Sequence, residues 1–144
     1  MASAVAMVTV VTVASITLLG WIAWCDWSRR HIPNALVGLL ALLAVTNGCL
    51  SGVAPGWPVA LAILGAGSLL FALKVCGAGD VKLLAATSLF FPGKGLDLLL
   101  GAALSGGCLA LVYSALAVCK KRSDPNLPYG VAIVAAALVE IFAS

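Results

Sequence analysis

Charged side chains are scarce in this chain of 144 residues, which has eight Lys and Arg, five Asp and Glu, and one His. Only 9% of the residues are charged and 63% are hydrophobic, whereas a soluble domain has about 25% charged and about 45–50% apolar residues. This composition excludes a soluble globular domain. It also excludes a basic surface for nucleic acid, because the few cations are spread along the chain.

The chain also lacks the sequence patterns of a metal site. No two cysteines form a C-x-x-C pair, and the single histidine has no cysteine at metal-ligand spacing. The cysteines lie in mostly apolar sequence and are expected to pack as small hydrophobic side chains; they are Cys25, Cys49, Cys76, Cys108 and Cys119. We therefore expect neither a metal nor any other cofactor.

Long apolar runs predict an all-α fold, a polytopic transmembrane helical bundle. Residues 1–20 lack the basic stretch that begins a cleaved signal peptide, so they are interpreted as the first span. Charged residues and Gly/Pro/Asn clusters leave six candidate spans, near residues 3–24, 35–50, 57–75, 81–91, 96–119 and 129–143. Together they predict a single membrane-embedded domain over residues 1–144.

The fourth candidate span is too short for a bilayer. Only 11 residues separate Asp80 from Pro92, and as a helix they reach about 17 Å, against a hydrocarbon core of about 30 Å. Either the bilayer is thinner here or Asp80 lies below the membrane surface in a wet recess lined by protein. The recess is the favoured interpretation.

The distribution of basic residues predicts the orientation. The first, third and fifth connections contain seven Lys and Arg in total, whereas the second and fourth contain one, Lys94. The positive-inside rule places the odd-numbered connections in the cytoplasm and both termini outside it. Asp26, in the first connection, and Asp80, in the third, then share the cytoplasmic face.

Each of these two aspartates lies beside a helix-breaking sequence. Asp26 begins D-x-x-x-R-H-I-P-N, which ends just before the second span, and Asp80 follows a G-x-G turn. The glycines allow positive φ angles and close approach by another segment. Asp26 alone also fits a cap or an ion pair with Arg29 or Arg30, and a bare G-x-G-D string like the one at Asp80 is common by chance in a glycine-rich protein. An ionisable residue at membrane depth is nevertheless a candidate functional residue.

As a pair, the aspartates predict aspartic-protease chemistry. Two neighbouring carboxylates cannot both ionise, so one remains a base while the other remains an acid. The base would activate water, and the acid would donate a hydrogen bond to the developing oxyanion of the scissile carbonyl. This chemistry needs neither a metal nor a covalent nucleophile.

Three ordered motifs resemble those of the type IV prepilin peptidase family, which are G-x-G-D membrane aspartyl proteases. The motifs are the Asp26 stretch, the segment Gly77-Ala78-Gly79-Asp80-Val81-Lys82, and the segment Leu127-Pro128-Tyr129-Gly130-Val131-Ala132-Ile133. The resemblance is greatest to the small members that serve tight-adherence (Flp) pili and consist of the six-span core. It covers nearly the whole chain.

The resemblance implies that Asp26 and Asp80 are catalytic. It further implies substrate-binding or supporting positions at Gly77, Gly79, Lys82, Arg29, Arg30, Pro33, Asn34, Pro128, Tyr129 and Gly130. The expected reaction removes a short basic leader from prepilins or pseudopilins at the cytoplasmic face of a bacterial inner membrane, and the resemblance implies that the cut follows a glycine just ahead of a hydrophobic helix of the substrate. Larger relatives also methylate the new N-terminus with an added cytoplasmic region. This sequence has no such region, so methylation is not expected.

Two alternatives remain open at this stage. Proteases of the signal-peptide-peptidase and presenilin class share G-x-G-D, but they have Tyr-Asp and Pro-Ala-Leu motifs where this chain has Trp-Cys-Asp and Leu-Pro-Tyr. A small transporter or structural membrane subunit would use the aspartates to bind a proton or cation.

The other charged residues are expected to have structural roles. Asp97 and Lys94 belong to the predicted outer face, with Glu140 near the outer end of the last span. Asp124 fits a turn. A cytoplasmic anchor is expected from Lys120, Lys121 and Arg122.

Overall fold

A computed structural model describes residues 2–74, 76–120 and 129–143 of the chain. These residues form six α-helices and no strand, in agreement with the predicted all-α fold. The helices are α1 (Ala2–Arg29), α2 (Asn34–Ser51), α3 (Trp57–Ala72), α4 (Ala78–Ser88), α5 (Gly95–Lys120) and α6 (Tyr129–Ala143). Each corresponds to one predicted span.

Three of the helices are long and apolar enough to cross a membrane. These segments are Val5–Arg29, Asn34–Ser51 and Gly95–Val112. Shorter apolar helices cover Trp57–Ala72 and Tyr129–Phe142. The fourth helix has only 11 residues, so the anomaly seen in the sequence is present in the fold.

The ends of the helices follow from local sequence. Pro33 lacks a backbone N–H and precedes α2 in an extended conformation. At the other end of α2, Gly52 has a φ of 70° and donates its N–H to the carbonyl of Gly48, because a left-handed residue without Cβ terminates a helix at little cost. Pro58 lies in the first turn of α3, where its missing N–H has no partner to lose.

The hydroxyl groups in these apolar helices bond to nearby backbone carbonyls. Thr9, Ser15 and Thr46 each donate to the carbonyl four residues earlier, at 2.8–2.9 Å. This local bonding satisfies a polar side chain where water is absent. Ser105 of α5 also donates to the carbonyl of Ala132 in α6 at 2.9 Å, so it joins the two helices.

The short helix α4 lies at the centre of the bundle. It packs against α2, α3, α5 and α6, and its small residues Ala85, Ala86 and Ser88 are buried. The main hydrophobic core joins α4 to α1, α2, α5 and α6 through side chains such as Leu40 and Leu83. Helix α3 contributes no residue to that core and packs mainly on α4.

The cysteines are less buried than the sequence predicted. Cys49 and Cys108 are exposed, and Cys25 and Cys76 are half-buried, all as free thiols. The expectation of packing inside the protein is therefore wrong for Cys49 and Cys108, and Cys25 and Cys76 are only partly enclosed. Long apolar helices that face a bilayer present residues of this kind outward without cost, because the surroundings are as apolar as the core.

Candidate active site

Asp26 lies in the last turn of α1, where its side chain is only 6% exposed. The helix ends at Arg29, and the next residue, Arg30, has a φ of 50° and donates its N–H to the Asp26 carbonyl at 2.9 Å. The helix terminus therefore holds Asp26 inside the bundle while the chain turns away towards α2.

The first turn of α6 faces the Asp26 carboxyl. The backbone N–H groups of Gly130 and Val131 act on this carboxyl, as does the more distant charge of Arg30. The first N–H groups of a helix have no partner within it and carry partial positive charge, so a carboxylate is a favourable neighbour. Oδ2 of Asp26 is buried and has no hydrogen-bond partner among the described residues.

Gly130 permits this approach because it has no side chain. A Cβ at position 130 would lie 2.7 Å from Oδ2 and 2.9 Å from Cγ of Asp26. Real Cβ atoms do not come this close to another heavy atom, so any other residue would displace the carboxyl.

Asp80 is the third residue of α4, and its carboxyl reaches back to the start of that helix. The backbone N–H of Gly77, the residue that caps α4, interacts with the Asp80 carboxyl, in the manner of the carboxylate of a capping box. A Cβ at position 77 would lie 2.8 Å from Oδ2 of Asp80. Gly77, like Gly130, therefore allows close contact with a catalytic candidate.

The two glycines of the G-x-G turn do not adopt positive φ angles, contrary to one expectation from the sequence. Gly77 is extended with a φ of −77°, and Gly79 lies within α4. A Cβ at position 79 would meet only Ile32, at 3.5 Å or more, which is an ordinary contact. Close approach is therefore the requirement at Gly77, and the backbone conformation requires neither glycine.

One polar cavity contains both carboxyls. It has a volume of about 550 Å³, and its lining includes Asp26, Arg30, His31, Ile32, Asn34, Gly77, Ala78, Gly79, Asp80, Lys82 and Tyr129. Asp80 precedes the predicted fourth span and is half-buried. Burial and the nearby negative charge of Asp26 raise the pKa of the Asp80 carboxyl to about 6, against an opposing effect of the Gly77 N–H.

Most of the other predicted site residues surround this cavity. Nζ of Lys82 donates to Oδ1 of Asn34 at 3.2 Å, which ties α4 to the start of α2. Arg30 and Tyr129 also line the cavity. Arg29 is exposed and is not part of the lining, and Pro33 acts as the residue before α2. Pro128 lies outside the described residues.

Sequence reasoning missed the contribution of Ile32. This side chain is 6% exposed, and it lies 3.5 Å from a Cβ placed at Gly79 and 3.0 Å from one placed at Gly130. It therefore separates the first turns of α4 and α6, which carry the groups around Asp80 and Asp26. An apolar residue between the charged Arg29–His31 segment and Pro33 is the one signal that could have revealed it.

The remaining charged residues lie away from the cavity. Lys94 and Glu140 form an ion pair of 3.0 Å, and Asp97 begins α5. Asp80 lies in the first turn of α4, and Lys94 lies in the connection that follows this helix. We call the end of the bundle that holds Asp26 and Asp80 the aspartate end, and the end that holds Lys94 and Glu140 the opposite end. Lys121, Arg122 and Asp124 lie outside the described residues, and the side chain of Lys120 is not described.

Comparison with known proteins gives one match. A sequence model of the type IV leader peptidase family matches residues 13–118, more than half of the chain. This range contains Asp26 and Asp80, and it ends before Tyr129. No curated protein and no solved structure matches the chain.

Proposed function

The chain belongs to the type IV leader peptidase family, and we propose that Asp26 and Asp80 together activate water to remove the leader of a prepilin. The family implies a protease of the prepilin leader peptidase type in a membrane. The assignment of its catalytic residues, substrates and orientation is our proposal.

The observation that carries the proposal is the shared cavity. Two carboxyls from different helices line one polar space, and the charge of one raises the pKa of the other. A pair of interacting carboxyls holds a single proton over a range of pH. This is the state that aspartic proteolysis requires, since one member must be a base and the other an acid.

We assign the base to Asp26. Burial disfavours its charged form, but the N–H groups at the start of α6 and the charge of Arg30 favour it. Among the described residues, neither an N-terminal end of another helix nor a cation is among the influences on Asp80, which is protonated below about pH 6, the value to which its pKa is raised. Asp26 then removes a proton from water, and the oxygen attacks the scissile carbonyl carbon. Asp80 donates its proton to the carbonyl oxygen as the tetrahedral intermediate forms.

Collapse of the intermediate completes the reaction. The C–N bond breaks, the proton taken up by Asp26 passes to the leaving amine, and the carbonyl re-forms as its proton returns to Asp80. Both carboxyls regain their initial states, and no metal or covalent intermediate takes part.

The choice of substrate comes from the family and not from the charge of the cavity. Arg30 and Lys82 line the cavity together with Asp26 and Asp80, so positive and negative groups are balanced there. We propose that the substrates are Flp-type prepilins or pseudopilins. The positive-inside distribution supports a bacterial inner-membrane enzyme whose cavity opens to the cytoplasm.

The supporting residues would hold the carboxyls and the walls of the cavity. Gly77 and Gly130 allow the two carboxyls to approach helix termini, and the Lys82–Asn34 hydrogen bond fixes α2 beside α4. Arg30 and Tyr129 are placed to contact the leader, since both line the cavity. Pro33 would fix the turn into α2, and Arg29 would contact lipid headgroups.

Leader cleavage tests the proposal directly. The protein is co-expressed with a Flp-type prepilin, and the size shift is compared for wild type, Asp26→Asn, Asp80→Asn and Asp97→Asn. Asp97 is the matched control, since it also begins a helix but lies at the opposite end. We expect processing by wild type and Asp97→Asn only.

Other results would contradict specific parts of the proposal. Normal processing by Asp26→Asn or Asp80→Asn would overturn the two-aspartate mechanism. If all four proteins insert into the membrane but none cuts any candidate prepilin, the substrate assignment is wrong.

A further inference from the structure

A second space, apolar rather than polar, begins at Asp80. It is a groove of about 620 Å³ between α3 and α5, with α4 as its floor. Its lining combines apolar residues of these helices with Asp80 and Cys76. Because Asp80 also lines the polar cavity, the two spaces meet at one carboxyl.

One face of α3 forms the longest wall of this groove. Seven lining residues recur at helical spacing along α3: Pro58, Val59, Ala62, Ile63, Ala66, Gly67 and Leu70. At about 1.5 Å per residue, this face extends roughly 18 Å, the length of about three helical turns. Ala62 and Ala66 have small side chains and are exposed, so they leave the groove open.

Close contacts hold the groove in shape. A Cβ at Gly67 would collide with Val81, so α3 lies directly on α4 near the aspartate end. A Cβ at Gly95 would collide with Val59, so α3 and the start of α5 touch at the opposite end. The contact between Val59 and Gly95 therefore narrows the groove at the opposite end, away from Asp80.

We propose that this groove binds the hydrophobic helix of the prepilin, the part of the substrate that is retained after cleavage. This inference rests on the proposed function. A substrate with a polar leader followed by an apolar helix matches a polar cavity followed by an apolar groove. With each part in its own space, the junction between them lies at Asp80, where the proposed cleavage takes place.

Small residues suit a helix as the occupant. Helices associate in membranes by close packing, and Ala and Gly allow their backbones to approach. The groove offers Ala62 and Ala66 along one wall. Among the described residues α3 packs mainly on α4, so the side of α3 that faces away from α4 is largely uncovered. An occupying helix would therefore pack between α3 and α5.

A second apolar groove provides the internal control. It has a volume of about 530 Å³ between α2, α3 and α4, and its lining includes Leu61 and Leu64 on the other face of α3. It shares Asn34 and Lys82 with the polar cavity, but neither Asp26 nor Asp80 lines it. We therefore expect a helix bound there to leave its junction beside Lys82 and not at Asp80.

Crosslinking locates the substrate helix without requiring cleavage. In the Asp80→Asn protein, a benzophenone amino acid replaces Ala66 or, as the control, Leu64, and each protein is reconstituted with uncut Flp-type prepilin in phosphatidylethanolamine/phosphatidylglycerol vesicles. We expect a prepilin adduct within its hydrophobic helix from position 66 and none from position 64. Lipid adducts alone at position 66, or equal prepilin adducts at both positions, would overturn the proposal.

Cleavage kinetics give a second test. Ala66→Trp fills the groove, so we expect kcat/KM for full-length prepilin to fall roughly tenfold or more, equal to about 1.4 kcal/mol. Cleavage of a leader peptide without the hydrophobic helix should be unchanged, as should both activities of Leu64→Trp. Unchanged cleavage of full-length prepilin by Ala66→Trp overturns the groove assignment alone, whereas absence of cleavage by wild type would overturn the proposed function.

Discussion

The two ends of the bundle hold carboxyl groups in different surroundings. At the opposite end, Glu140 pairs with the ammonium of Lys94 at 3.0 Å. At the aspartate end, Asp26 and Asp80 share a cavity with each other and interact with backbone N–H groups at helix starts. An acid paired with a cation stays ionised, whereas an acid beside another acid can keep a proton. The first arrangement joins helices, and the second can perform proton transfer.

The largest expected effect comes from removing a carboxyl at the aspartate end. Asp80→Asn should lower kcat/KM for prepilin cleavage by about 10³ or more, since it removes both the proton donor and its hydrogen bond to the oxyanion. Glu140→Gln should leave kcat/KM within about twofold, because a partly exposed ion pair contributes little. Equal losses in the two variants would show that the two ends do not differ in function.

The same Asp80→Asn protein should be at least as stable as wild type. Asp80 is a half-buried acid beside a like charge, and a neutral amide removes that unfavourable interaction at neutral pH. Thermal unfolding in detergent, followed by circular dichroism, measures this. A large decrease in Tm would mean that the Asp80→Asn protein loses activity because its fold is destabilised.

Gly130→Ala should have the next largest effect. Its Cβ would lie 2.7 Å from Oδ2 of Asp26, so the carboxyl must move by a fraction of an ångström to 1 Å. A displacement of that size costs up to about 10²-fold in rate. We expect a lower kcat with unchanged expression and Tm. Near-normal kcat would show that Asp26 does not depend on its place at the start of α6.

The two glycines of the G-x-G turn should differ from each other. Gly77→Ala places a Cβ 2.8 Å from the Asp80 carboxyl, whereas Gly79→Ala meets only Ile32 at 3.5 Å or more. We expect Gly77→Ala to lower kcat/KM by about tenfold, and Gly79→Ala to retain activity, since Ala is a better helix former than Gly. The reverse ranking would contradict the geometry.

The pH dependence of cleavage follows from the raised pKa of Asp80. With a pKa of about 6 in the folded protein, Asp80 loses its proton above that pH and can no longer act as the acid. The kcat/KM of wild type should therefore decrease as pH rises above about 6. A profile that keeps rising well above pH 6 would exclude Asp80 as the acid.

The linked effect on stability has the same direction. The folded protein binds the Asp80 proton more tightly than the unfolded chain, whose pKa is near 3.8. The free energy of unfolding should therefore decrease as pH rises from about 4 to about 6 and be independent of this group at higher pH. The Asp80→Asn protein, which has no carboxyl here, supplies the baseline.

The smallest effect is expected at the opposite end. Lys94→Met removes the cation of an ion pair whose side chains are 43% and 15% exposed, and such pairs contribute about 0–1 kcal/mol. We expect a small decrease in Tm and normal cleavage. A loss of cleavage comparable to Gly77→Ala would mean that the ion pair controls the site through α4 or α6.

Sequence patterns predicted the helices better than the site. Apolar runs bounded by charged residues and Gly/Pro/Asn clusters predicted all six helices, including the short α4. The aspartates were found because carboxylates are conspicuous in so apolar a chain. The topology that brings them to one end follows from the alternating direction of consecutive helices.

The features of the site that the sequence did not predict depend on contacts that no sequence pattern encodes. The N–H groups of Gly130 and Val131 belong to the backbone, so no side chain identifies them as partners of Asp26. Gly77 and Gly79 differ in which side chain a Cβ would meet, since a Cβ at Gly77 would meet Asp80 and one at Gly79 would meet Ile32. Likewise, the groove exists because α3 stands outside the main core, which hydrophobicity alone does not predict.

The polar cavity also determines how hydrolysis obtains its second reactant. A space of about 550 Å³ holds on the order of ten to twenty water molecules at the density of the liquid, in which each takes about 30 Å³. In the proposed mechanism, each cleavage consumes one of these molecules. A hydrolase with this reservoir beside its carboxyls does not depend on rare entry of water through lipid, so diffusion of solvent would not limit its turnover.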